Sequence, residues 1–153
     1  MEKRIVATNR KARHQYHILE TYEAGLALLG TEVKALREAK VSLVDGYARF
    51  QNRELYLVGV HIGAYSHTGH EGHANLRERK LLLNRRELRQ LRKAAEIKGQ
   101  TLIPLALYFS EGWAKVELAV CRGKQLYDKR QDIADRDSKR QLERTVKQHK
   151  VGR

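Results

Sequence analysis

Hydrophobic and polar positions alternate in short runs over the first four-fifths of the chain, and two amphipathic stretches interrupt them. HQYHILETYEAGLALLG, ending at Gly30, is rich in β-branched and aromatic residues and predicts a long strand bent near Gly25. Thr31 is an N-cap type, and Val33 and Leu36 follow at a spacing of three, so a short helix is expected over 32–39. Tyr47 to Phe50 and Glu54 to Ile62 flank Gln51, Asn52 and Arg53 as a hairpin. A second hairpin joins Thr101–Phe109 to Trp113–Cys121 through Ser110, Glu111 and Gly112. In its second arm Val116, Leu118 and Val120 alternate with Lys115, Glu117 and Ala119, so Lys115 is expected to face outward. Pro104 cannot donate to a ladder and belongs at an edge, a bulge or a strand start. Between the hairpins, Asn84 is a cap, Glu87 follows three residues later, and Leu88, Leu91 and Ala95 share one face of a helix over 84–97. Five or six short strands with a helix before the last hairpin give a mainly β fold with flanking helices, a small closed barrel resembling an OB-fold.

Charge sharpens this picture. The 153 residues hold 31 Lys and Arg against 18 Asp and Glu, a formal +13 that favours polyanions, nucleic acid first. Residues 121–153 contribute 11 basic and 5 acidic groups, nearly half of the excess in a fifth of the length. From Tyr127 onward only Ile133, Leu142 and Val146 are large aliphatics, too few to offset the entropy of ordering the segment. We therefore expect a folded domain over 1–126 and a basic tail over 127–153, disordered when free. The single cysteine, Cys121, permits neither an intrachain disulfide nor a cysteine zinc site and suits a reducing compartment. No apolar leader opens the chain, and Thr101 to Phe109 falls far short of a bilayer span, so a cytoplasmic, membrane-free, monomeric protein is expected.

Arg77 to Lys93 carries eight basic and two acidic residues, a pattern suited either to phosphates or to an ordinary solvated helix face. Leu81, Leu82 and Leu83 cannot all face one core from a strand, which leaves either one exposed leucine or burial of all three at a corner. His67, His70 and His73 recur every three residues as metal ligands would, but Gly69 and Gly72 make the segment a loop without a carboxylate pair or an HExxH frame. A metal-dependent nuclease would need that site. No glycine-rich phosphate loop, nucleophile elbow or Cys–His dyad is present, so the chain reads as a binding protein without cofactor or metal rather than an enzyme. In the tail, Arg136, Arg140 and Arg144 recur every four residues and would form one basic stripe on a helix. The residue pattern leaves a general OB-type binder of single-stranded or ribosomal RNA open.

NRKARHQY, YEAGLALLGTEVKALR, GYARF, RKLLLNRREL, TLIPLALYF, WAKVEL and RGKQLYDKR occur in this order, and together they resemble the small protein B (SmpB) family of bacterial trans-translation. The resemblance spans about Asn9 to Val146. It implies an OB-like barrel that binds the tRNA-like domain of tmRNA, also called SsrA RNA. It also implies delivery of alanyl-tmRNA, with elongation factor Tu and GTP, to a 70S ribosome stalled without a stop codon. The tail would become helical in the 16S rRNA decoding centre and empty mRNA channel, permitting ribosome rescue and peptide tagging.

Carried onto this chain, the resemblance places Asn9, Arg10, Lys11, Glu23, Lys80, Leu82 and Lys115 at tmRNA. Lys115 suits a phosphate, Asn9 a sugar or base edge, and Leu82 a base or ribose face. Glu23 repels phosphates and suits either base amino groups or a structural role. The ribosome-facing set is Arg122, Lys124, Tyr127, Asp128, Lys129 and Arg130, continued by Arg136, Arg140 and Arg144. Tyr127 stands where some members have histidine, retaining a ring for stacking but not the imidazolium charge.

Overall fold

The computed structural model describes residues 3–67 and 72–124. Along them run β1 (Arg4–Thr8), α1 (Arg10–Gln15), β2 (Tyr16–Leu26), α2 (Gly30–Arg37), β3 (Val41–Ser42) and β4 (Tyr47–Gln51). β5 (Glu54–Val58), β6 (His61–Ile62), β7 (Arg79–Leu82), α3 (Arg85–Glu96), β8 (Gln100–Ser110) and β9 (Trp113–Gly123) follow. The molecule is mainly β. Its large antiparallel sheet runs β1-β8-β4-β5-β7-β2-β9, and β8 also pairs with β9, while β3 and β6 form a separate two-stranded pair.

Ser110 pairs with Trp113 across the two-residue turn Glu111–Gly112, whose φ values of 55° and 81° are both left-handed. That backbone twist matches the twist of the strands it joins. Pro104 sits at the register irregularity between Pro104 and Ala106, as its missing N–H requires. Val116, Leu118 and Val120 point into the main core with Leu55, Leu57 and Leu107, and Lys115 and Glu117 point away from it.

The alternation fails beyond Glu117. Ala119 and Cys121, on the face expected to be outward, are fully buried with Ala12, Ile103 and Leu105 in a second, smaller core. The cause is α1, which the sequence pattern did not reveal: six residues hold one buried apolar side chain, too little periodicity to see. Asn9 caps it, accepting from the Ala12 N–H at 3.1 Å.

Three other boundaries differ. β2 begins at Tyr16 and ends at Leu26, and its irregularity lies between Ile18 and Glu20 rather than at Gly25. The short helix starts at Gly30 with Leu29 as N-cap, because Glu32 accepts from the Leu29 N–H at 2.8 Å; Thr31 lies inside the helix. The run from Glu54 to Ile62 breaks after Val58, and its last two residues pair with β3 instead. The Asn84 cap is as expected, accepting from the Glu87 N–H at 2.8 Å, and Leu91 is completely buried with Leu88 and Ala95 beside it.

Glu32 is buried at the start of α2 and bound to two arginines. Arg79 Nε meets its carboxylate at 2.6 Å, and Arg77 Nη2 meets it at 2.5 Å. The fully buried Arg79 directs its remaining donors to the carbonyls of Val60, Ala74 and Asn75. Burial pushes the Glu32 carboxyl up, but hydrogen bonds from Arg77, the Leu29 N–H and Arg79 outweigh it and hold the group below the usual carboxylate range. This cluster ties the segment before β7 to α2 and so fixes where β7 enters the sheet.

Candidate nucleic-acid interface

One row of cross-strand partners brings together residues far apart in sequence. Tyr108 of β8 pairs with Lys115 of β9, Lys115 with Gly25 of β2, and Gly25 with Leu82 of β7. Directly opposed residues share a face, and Lys115 and Leu82 point away from the core. Leu82 is 49% exposed between the buried Leu81 and the half-buried Leu83, which settles the leucine run in favour of one exposed member. Lys115 makes no hydrogen bond or ion pair among the described residues and is free to meet an anion. Gly25 leaves the sheet backbone bare between them: a Cβ there would lie 3.3 Å from Leu82 Cβ.

Glu23 lies two residues before Gly25, on the same face and opposite Glu117. Its Oε2 accepts from the Tyr108 hydroxyl, reaching across β9. Burial and then the Glu23 carboxylate keep the Tyr108 hydroxyl protonated far above the usual range, so it stays a donor. Lys3 Nζ sits 4.8 Å from the Tyr108 ring centroid. Sequence reading missed Tyr108, although the turn at Glu111–Gly112 dictates its pairing with Lys115 once the hairpin register is counted back. Glu23 therefore has the structural role considered for it: an exposed carboxylate whose orientation is set by a hydrogen bond from Tyr108.

Lys80 lies two residues before Leu82 on the same face, and its Nζ is 3.0 Å from the Glu54 carboxylate. Glu54 is held below the usual carboxylate range by hydrogen bonds from Tyr56 and Lys80. Both partners are about half exposed, so this pair gives way readily to a phosphate.

Asn9 is not part of this face, and the expected contact of its side chain with a sugar or base is corrected. It is 2% exposed, and its Nδ2 donates to the carbonyls of Leu43 at 3.2 Å and Pro104 at 3.0 Å. With Oδ1 capping α1, the side chain serves as a fastener that positions the exposed Arg10 and Lys11 on that helix. Arg122 is exposed near the end of β9, opposite His17 and Gln100 in the two flanking strands, and Lys124 is half-buried just beyond. Tyr127, Asp128, Lys129, Arg130, Arg136, Arg140 and Arg144 lie outside the described residues. So does His70; His73 spans Thr31 Oγ1 at 2.9 Å and the Ile62 carbonyl at 3.0 Å, and His67 is exposed.

The family model described as "SmpB protein" matches residues 6–148. The chain belongs to the SmpB family. An "SsrA-binding protein" of Salinispora arenicola (strain CNS-205) is 53% identical over 150 residues, covering 98% of this chain and 94% of that protein. The "SsrA-binding protein" of Trichodesmium erythraeum (strain IMS101) is 51% identical over 147 residues, covering 95% of this chain and 94% of its own. A solved structure described as "tmRNA-SmpB: a journey to the center of the bacterial ribosome" superposes with a TM-score of 0.67 at 48% identity, over 83% of this chain and 93% of that one. Within the SmpB family frame, the row from Tyr108 to Leu82 is this chain's best-assembled candidate for an RNA-facing surface.

Proposed function

We propose that this protein binds the tRNA-like domain of tmRNA and brings it to stalled ribosomes for trans-translation. The observation that carries the reading is the convergence of Glu23, Leu82 and Lys115 on one outward face, together with membership of a family whose relatives are named for binding SsrA RNA. In chemical terms the face offers a free ammonium for a phosphate, an exposed aliphatic surface for a base or ribose, and a held carboxylate for base amino groups. These groups bind; they do not form a reaction centre, and the protein acts as an adaptor rather than an enzyme.

The same proposal covers the fold and the partners. The circuit of pairings from β8 through β4, β5, β7, β2 and β9 back to β8 supports a small closed barrel of OB type. Elongation factor Tu with GTP engages through the alanyl end of tmRNA. The basic segment from Tyr127 onward enters the decoding centre and mRNA channel as a helix, consistent with its four-residue arginine spacing. Its place of action is the cytoplasm, and among the described residues no helix is long and apolar enough to cross a membrane.

The deciding experiment is binding of the purified full chain to the isolated tRNA-like domain, an elongator tRNA and an unrelated hairpin at physiological salt. Selective binding to the first is expected. Equal weak binding to all three would leave only a basic RNA binder.

A further inference from the structure

Next to Leu82, on the side away from Lys115, the sheet surface falls into a groove of about 840 Å³ between the β4–β5 turn and α3. Its floor is apolar, with the half-buried Phe50, Leu83 and Leu88 at the surface over the buried Leu55 and Leu81. Its rim is basic: Arg53 stands on the turn, and Arg85, Arg89 and Arg92 stand on α3. Only one lining residue is acidic, Glu54, and it is already matched by Lys80 and Tyr56.

The four arginines are not equivalent. Arg92 is committed, its guanidinium lying 5.2 Å from the Phe50 ring centroid and donating to the Asn52 carbonyl. That contact ties α3 to the turn on one side of the groove. Arg53, Arg85 and Arg89 are exposed and make no hydrogen bond or ion pair among the described residues. Three unpaired guanidinium groups around one apolar trough repel one another, an arrangement that an incoming anion relieves. α3 is capped at Asn84 and anchored by the buried Leu91, so it presents them on a rigid support.

We propose that this groove is a phosphate track for the RNA whose neighbouring nucleotide lies on Leu82. Leu82 and Lys80 line both the groove and the sheet face, so one strand of backbone passes from one to the other without leaving the protein surface. The apolar floor suits ribose, and the planar forks of Arg53, Arg85 and Arg89 suit successive phosphates. An inference of this kind rests on the tmRNA reading given above.

The test compares two triple variants of the full chain. Arg53→Gln, Arg85→Gln and Arg89→Gln together remove the unpaired rim. Arg86→Gln, Lys93→Gln and Lys98→Gln remove the same charge from exposed positions that do not line the groove. Affinity for the isolated tRNA-like domain is measured from 50 to 300 mM salt. The groove variant is expected to lose about two to three from the magnitude of the log–log salt slope, at about 0.7–0.9 per phosphate, and the control variant less than one. Equal losses would mean that only overall charge matters and would overturn the track. An unchanged slope in the groove variant would also overturn it and leave the groove to an acidic protein surface. The wild-type preference for the tRNA-like domain over elongator tRNA is read in the same titrations, so failure of the tmRNA reading is seen separately from failure of the track.

Discussion

The Tyr108 hydroxyl and the Glu23 carboxylate are joined across β9, with neither residue on a neighbouring strand of the other. On the proposed RNA face this bond gives an acidic group a defined place: its orientation is set by the protein before any ligand arrives. Tyr108→Phe removes the donor and leaves the ring. We expect it to weaken binding of the tRNA-like domain about twofold to twelvefold, the size of one hydrogen bond of about 0.5–1.5 kcal/mol. In a double-mutant cycle with Glu23→Gln, the second substitution should add little to the first. Fully additive losses would show that the two act independently.

Lys115→Ala and Leu82→Ala should separate electrostatic from apolar contact. Both are expected to reduce affinity for the tRNA-like domain. Only Lys115→Ala should reduce the magnitude of the salt slope, by about 0.7–0.9, because counterion release counts phosphates neutralised. Titrations at four or five salt concentrations decide this, and parallel slopes would refute the assigned roles.

The Glu32 cluster predicts a large stability effect from a buried ion pair. Glu32→Ala leaves Arg79 buried without its partner and should cost about 3–5 kcal/mol in denaturant unfolding. The sign of the pH dependence follows from the lowered Glu32 pKa. Its contribution is fully present above the unfolded value of about 4.3 and is lost as pH falls through the lower folded value. Wild-type stability should therefore drop on acidification below about pH 4.5, and Glu32→Gln should show a shallower drop from a lower starting stability.

Cys121 lies completely buried in the smaller core, and burial pushes its thiol up to about 11. The folded protein should resist alkylation at pH 8 and react fully in denaturant. Prompt labelling of the native protein would contradict the packing of α1 over β8 and β9.

Truncation after Arg130 should leave affinity for the tRNA-like domain nearly unchanged while abolishing peptide tagging on stalled ribosomes. Loss of the RNA complex by that truncation would remove the division of labour between the folded domain and the basic segment.

The long elements were legible because their signals are local. The β8–β9 hairpin carries its turn, its bulging proline and most of its alternation in sequence, and α3 carries its cap and apolar face. What escaped reading depends on contacts distant in sequence. Nothing near Ala119 or Cys121 announces that a six-residue helix from the other end of the chain covers them. Asn9 has the composition of a polar contact residue, and only its burial against Leu43 and Pro104 assigns it to the interior. The same applies to charge. Among the eight basic residues from Arg77 to Lys93, Arg77, Arg79 and Lys80 already hold carboxylates, so the outward field comes chiefly from α3 rather than from the whole run.

Gly25 sits where two strand spacings separate Lys115 from Leu82, a distance of about 10 Å across the sheet. With no side chain between them, the two residues stand like posts at either end of a level shelf whose surface is peptide backbone. Whatever settles on that shelf is gauged by its thickness and flatness as much as by its charge. Even one added methyl group there would press on Leu82 and tilt one post. An atom that is left out keeps that shelf level.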